Sequence, residues 1–147
     1  MPGFRLAEFL PYQLLVTSNA VSRAVASGTD YEARFGLTAA EWRVLAAIIA
    51  AGRPAQAELL AVTGMDKMTI SRAVAGLAGR RLLDRVRDAA DRRMLRLSPT
   101  SEGLRIHDIV APQALLVEKR LLAALSDDEA ALLRMALTKL REACDKP

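Results

Sequence analysis

The 147-residue sequence predicts a mostly helical fold that carries one small β-ribbon. Apolar residues recur at helical spacing through most of the chain. Hydroxyl-led capping boxes mark two helix starts, Thr38-Ala39-Ala40-Glu41 and Ser126-Asp127-Asp128-Glu129. One stretch breaks the helical pattern, where two short apolar runs flank a charged tip, Asp88-Ala89-Ala90-Asp91-Arg92-Arg93. Apolar residues make up 52% and charged residues 26%, which describes a globular chain long enough for one ordinary core. Aromatics are only 4%, so that core is built of Leu, Ala, Val and Ile, a composition that favours helices.

Each element follows in order. Pro11 suits the first turn of a helix, where its missing N–H costs nothing. Leu14, Leu15, Ser18, Val21, Ser22 and Val25 continue that helix as a stripe, which runs on toward Arg34 or breaks near Gly28-Thr29. Thr38 caps a second helix, with Glu41 reaching back and Trp42, Leu45, Ala46 and Ile49 on one face; Gly52 ends it. Residues 54–63 read as a short third helix with Leu59 and Leu60 inward. Gly64 follows, where a tight turn calls for a left-handed backbone. A fourth helix spans 66–78, with Gly79 as its stop.

Leu82, Leu83 and Val86, then Met94, Leu95 and Leu97, fit two strands around the charged tip, and Pro99 closes the ribbon. A long helix over 100–125 carries Leu104, Ile109, Leu115, Leu116 and Leu122, with a kink expected at Pro112. The second capping box opens a last helix with a broad apolar face of Leu132, Leu133, Met135, Ala136, Leu137 and Leu140. There is no internal repeat, low-complexity tract or linker, so residues 1–147 read as one domain.

Composition narrows the function classes. The sequence offers no Ser/His/acid set, no Gly-rich phosphate loop and no metal-ligand cluster, so catalysis, a cofactor and a bound metal are not expected. His107, the lone histidine, reads as a satisfied surface or interface residue, and the single Cys144, beside Glu142 and Asp145, as a bystander thiol. No apolar run reaches the roughly 18–20 residues needed to span a bilayer. The start, Met1-Pro2-Gly3-Phe4-Arg5, lacks a secretory pattern, so a cytoplasmic protein without a membrane partner is expected.

The net charge of +4 is unevenly spread: residues 53–96 hold ten basic and five acidic side chains, or +5, and the remainder carries −1. A cationic field confined to one segment is what phosphate binding requires. Within that segment, Ile70, Ala73, Val74 and Leu77 fall on one side of the fourth helix at i, i+3, i+4, i+7 spacing. The opposite side shows Met68, Thr69, Ser71, Arg72, Ala75 and Gly76, with Lys67 at the flank. Arg72 is placed to fork onto guanine O6 and N7, and Met68 or the Thr69 methyl to touch a thymine methyl. Ser71 and Lys67 are assigned to phosphates.

At the ribbon tip, Asp88 and Asp91 are read as bracing the loop, while one of Arg92 and Arg93, assigned here as Arg92 though the sequence fits either, projects toward a narrow minor groove and the other joins the brace or the DNA. Arg85, Arg87 and Arg96 would flank phosphates. A helix and a ribbon side by side suit double-stranded DNA. A protein-interaction module would instead want an acidic or apolar helix face, and an RNA binder an aromatic stacking platform; neither is visible.

These features together resemble the MarR family of winged helix-turn-helix regulators. The resemblance rests on Leu37-Thr38-Ala39-Ala40-Glu41-Trp42-Arg43-Val44-Leu45, on Ser71-Arg72, on Asp88 with Asp91-Arg92-Arg93, and on Thr100-Ser101-Glu102-Gly103. It implies a homodimer in which residues 1–37 and 100–147 supply dimerisation helices and 38–99 form the winged lobe. It also implies repression from a pseudo-palindromic operator and release by a small, often phenolic effector. Tyr12, Leu15, Trp42 and Arg43 are the candidates for that effector's pocket. Three residues depart from the family pattern: Arg81 where Gly is usual, Pro99 where an aliphatic residue is common, and Met68 where small polar residues are common.

Overall fold

The computed structural model describes residues 3–147; Met1 and Pro2, which head the stretch read for a secretory pattern, lie outside the described residues. Helix α1 spans Leu10–Thr29 with Pro11 in its first turn. It breaks at Asp30, whose left-handed backbone turns the chain into the short helix α2, Tyr31–Phe35. Helix α3, Ala39–Ala51, starts at Thr38, whose hydroxyl accepts the Glu41 N–H at 3.1 Å, and stops at Gly52. The Glu41 carboxylate does not return to the Thr38 backbone. It meets the Thr38 hydroxyl at 3.3 Å and pairs with Arg80, a stronger charged partner.

The buried face of α3 is Val44, Leu45 and Ile48; Trp42, Ala46 and Ile49 lie only at its margins. The expected face was rotated because α3 is apolar nearly all round, and its pattern alone does not single out one side. Residues 54–63 form a 3-10 turn, Gln56–Glu58, followed by α4, Leu59–Thr63. Leu59 is fully buried, whereas Leu60 stays 39% exposed, since a helix this short offers the core a single position. Gly64 takes the left-handed turn at φ 66°.

Helix α5, Lys67–Gly79, begins at Asp66, whose carboxylate accepts the Thr69 N–H at 2.8 Å. Gly79 remains helical. The reversal falls instead at Arg81, with φ 57°, where the family pattern has glycine. A non-glycine residue in this region is strained unless held. The Thr100 hydroxyl holds it, donating to the Arg81 carbonyl at 2.8 Å.

Strands β1, Leu83–Arg87, and β2, Leu95–Pro99, pair antiparallel with Leu83 opposite Pro99 and Arg87 opposite Leu95. A third segment joins them: Ala55 bridges to Arg96, and the Leu97 N–H donates to the Pro54 carbonyl at 2.8 Å. The ribbon is thereby stitched to the chain that leads into α4.

Helix α6, Ser101–Leu122, is capped by Thr100 and runs through Pro112 as one element. Its buried residues are Gly103, Ile106, Val110 and Val117, while Leu104, Leu115 and Leu116 are exposed, opposite to the expected stripe. Gly103 permits close packing, because a Cβ there would lie 2.2 Å from the Leu82 carbonyl oxygen. Helix α7, Asp127–Cys144, is capped by Ser126 and buries none of its residues. Helix α1 packs along α6, α3 packs on α5, and one core runs from Tyr31 to Val110. Among the described residues no helix is long and apolar enough to cross a membrane.

Candidate nucleic-acid interface

Helix α5 owes its orientation to one face. Ile70, Ala73, Val74 and Leu77 are all buried, and each such side chain contributes about 1.5–3 kcal/mol through the area it removes from water, the small Ala73 less. Rotation of α5 about its axis would expose them, so the opposite face is fixed in solvent. Lys67, Met68, Ser71 and Arg72 are exposed there, and Thr69 is half-buried beside them. Met68 is 63% exposed, an unusual placement for a thioether. Arg72 Nη2 approaches Met68 Sδ at 3.4 Å, so the guanidinium lies back over the Met68 side chain. Thr69 also donates its hydroxyl to Asp66 at 2.7 Å, which makes it part of the helix cap. These bonds from Thr69 hold the Asp66 carboxyl below the usual aspartate range.

The far end of α5 is held by a residue that sequence reasoning passed over. Arg80 donates to the Phe35 and Gly36 carbonyls at 3.0 and 2.9 Å and pairs with Glu41. The Glu41 carboxylate lies against Gly76, where a Cβ would meet it at 3.4 Å, an ordinary contact distance. Partners some forty residues away in sequence left no local signal.

At the ribbon tip, Arg93 is 95% exposed at its side chain yet held: its N–H donates to Asp91 Oδ1 at 3.1 Å, and Nε lies 3.4 Å from the same oxygen. Asp88 Oδ1 accepts the Ala90 N–H at 3.3 Å. Arg87 Nη1 donates to the Arg92 carbonyl at 2.8 Å, which ties the strand end to the tip, and the Arg92 side chain is exposed. Arg96, expected beside phosphates, instead lies between Glu58 at 3.2 Å and Asp88 at 3.4 Å.

The four residues proposed for an effector pocket are not brought together. Trp42 lines a cavity of about 390 Å³ with Val21, Val25, Ala111 and Leu115. It also stacks between Tyr31 and His107, with ring centroids 6.1 and 5.7 Å away. Burial pushes the Tyr31 phenol up, and the nearby Arg43 guanidinium partly offsets this. Arg43 donates to the Ser22 hydroxyl and lines a second cavity, about 550 Å³, with Leu14, Ser18, Val21, Leu133 and Leu137. Tyr12 and Leu15 line neither cavity and are exposed. Each residue turns a helix by about 100°, so Leu15 leaves the stripe of Leu14, Ser18 and Val21. His107 lies 3.3 Å from Asp108, and Cys144 is a free, exposed thiol.

Residues 35–94 match the model of the MarR family. The chain is similar to the PcaV transcriptional regulator from Streptomyces coelicolor, solved in complex with its natural ligand. The two share 27% identity over 99% of this chain and 100% of that one, with a TM-score of 0.81. A probable transcriptional regulator from Pseudomonas aeruginosa is 29% identical over 92% of this chain and 99% of that one, TM-score 0.76. A mutant MarR from E. coli complexed with operator DNA shares the fold at 23% identity, covering 94% of this chain and 99% of that one, TM-score 0.76. No curated protein matches the sequence.

Proposed function

We propose that this chain is a MarR-family transcriptional regulator, and that it is a dimeric, sequence-specific DNA-binding repressor acting at a pseudo-palindromic operator. Family and fold are those of transcriptional regulators, not of enzymes. The observation that carries the reading is the sorting of α5: four core residues fully buried, and Met68, Ser71 and Arg72 left in solvent on the most basic segment of the chain. Arg72 reads guanine, Met68 and Thr69 meet thymine methyls, Lys67 and Ser71 hold phosphates, and Arg92 enters the minor groove. Arg87, Arg93, Asp88 and Asp91 present the tip. Such a protein works in the cytoplasm, where bacterial operators lie.

Residues 1–37 and 100–147 supply the dimer contact and 38–99 the DNA-binding lobe. Support comes from the apolar side chains that one copy leaves bare: Leu115 and Leu116 on α6, and Leu132, Leu133, Met135 and Leu140 on α7. A second copy is the simplest cover for such a surface. The two cavities between α1, α3, α6 and α7 suit a small aromatic or phenolic effector, and PcaV, which is similar over the whole chain, was solved with its natural ligand bound.

Selection of bound sites from random duplex oligonucleotides tests the reading. Two half-sites about 10 base pairs apart are expected, with affinity that falls steeply with salt. Recovery of no motif, or a flat salt dependence, overturns it.

A further inference from the structure

We propose that Arg96 is a positioning residue that sets the wing against the helix-turn-helix, rather than a residue that touches DNA; this rests on the reading of the lobe as a DNA-binding surface. Arg96 lies on β2, and its backbone bridges to Ala55, just ahead of the turn that leads into α4. Its guanidinium is forked. Nη1 reaches Glu58 in that turn at 3.2 Å, and Nη2 reaches Asp88, the first residue of the tip loop, at 3.4 Å. Asp88 in turn receives the Ala90 N–H of the wing tip. One side chain therefore joins three segments: the entry to α4, the strand and the tip loop.

The exposures agree with this role. The Arg96 side chain is 30% exposed, against 95% for Arg93 at the tip. Two carboxylates already oppose its charge, so little is left to attract a phosphate. The backbone bond from Leu97 to Pro54 fixes the root of the ribbon, but a two-stranded ribbon twists readily beyond its root. Arg96 adds a second point of attachment, on the side chain, one residue toward the tip. A planar fork suits this task and a lysine does not, because one ammonium cannot hold both carboxylates in fixed directions.

The two roles predict opposite signs for Glu58. If Arg96 met a phosphate, removing Glu58 would free the arginine and remove a repulsive charge, and binding would tighten. If Arg96 is a clamp, removing Glu58 loosens the wing and binding weakens. We expect Glu58→Met to weaken binding of the selected operator about threefold, the scale of a half-exposed ion pair. Arg96→Met should weaken it about tenfold through loss of both pairs, with Arg96→Lys in between.

The penalty of Arg92→Ala should shrink in the Arg96→Met background, because a displaced tip no longer makes that contact; a loss of fold stability alone would leave it unchanged. Active protein is counted by stoichiometric titration with operator, so that a poorly folding variant is not scored as a weak binder. Operator binding by Glu58→Met as tight as, or tighter than, that of the unaltered protein overturns the clamp. Failure of the unaltered protein to select any operator is a different result, and it overturns the reading of the lobe itself.

Discussion

The winged lobe and the terminal helices solve the burial problem in opposite ways. In the lobe, α3, α4, α5 and the ribbon enclose Leu45, Ile48, Leu59, Val74, Leu77 and Leu97 with almost no exposed area. In α7 not one residue is buried, although Leu132, Leu133, Met135, Leu137 and Leu140 recur at helical spacing. The lobe is complete within one chain. The terminal helices carry the same kind of apolar face without a partner in the chain to cover it. A helix that is amphipathic yet bare is stabilised by association, since isolated helices are marginal in water. We read the lobe as the part that meets DNA and the helices as the part that meets a second copy.

The largest expected effect breaks the helical side of this contrast. Leu132→Asp combined with Leu140→Asp should convert a dimer into a monomer by sedimentation. Operator affinity should fall on the order of 10²-fold or more, because the second half-site is no longer linked to the first. Circular dichroism should still show a folded lobe. A double variant that remains dimeric would falsify the assignment of α7. On the lobe side, Leu77→Ala should cost about 2–5 kcal/mol of stability in urea unfolding, the range for a buried leucine. A loss well under that range would mean that the lobe core is less closed than its burial implies.

The same contrast explains what could be read in the sequence. Helix α5 was legible residue by residue, because it has one buried face and a period shows which. Both hydroxyl caps were legible because a cap is a local bond, Thr38 to the Glu41 N–H and Ser126 to the Glu129 N–H, whereas the return of Glu41 was pre-empted by Arg80 from far along the chain. Helix α6 was not. It is apolar on two sides, Ile106, Val110 and Val117 toward its own lobe and Leu104, Leu115 and Leu116 toward solvent, and a period cannot say which side is covered from within. The ion pairs of Arg96 were hidden for a related reason: its partner Glu58 is 38 positions away, and composition shows the charge without the pair. Arg81 is the middle case. Its departure from glycine was visible, and the structure supplies the bond from Thr100 that lets a non-glycine residue hold a left-handed backbone there.

Two smaller effects sharpen the division of labour inside the lobe. Arg72→Ala should weaken operator binding by about 1–3 kcal/mol and relax base preference at one position per half-site, measured by selection and titration. Equal losses on operator and random duplex would make Arg72 a phosphate anchor. Arg92→Ala should have a lesser effect, concentrated on sites with A·T-rich flanks, where the minor groove narrows. Unchanged affinity on those flanks would retire its groove assignment.

The smallest effect concerns the start of α5. Asp66 is held below the usual aspartate range by the Thr69 N–H and hydroxyl, so its charged form is favoured in the folded state. A carboxyl whose folded pKa is depressed stabilises the fold above its unfolded pKa. That contribution is lost as the pH falls from about 4 through the lower folded value. Asp66→Asn keeps an oxygen that accepts the Thr69 N–H but carries no titrating charge. The free energy of unfolding should therefore fall less steeply below about pH 4 in Asp66→Asn than in the unaltered protein. Amide protection at Thr69 and Ile70, corrected for the intrinsic exchange rate at each pH, should fall with acid in the unaltered chain and hold in the variant. Matching acid limbs would show that the cap works through its oxygen alone, and that the charge at this helix start serves something other than the fold.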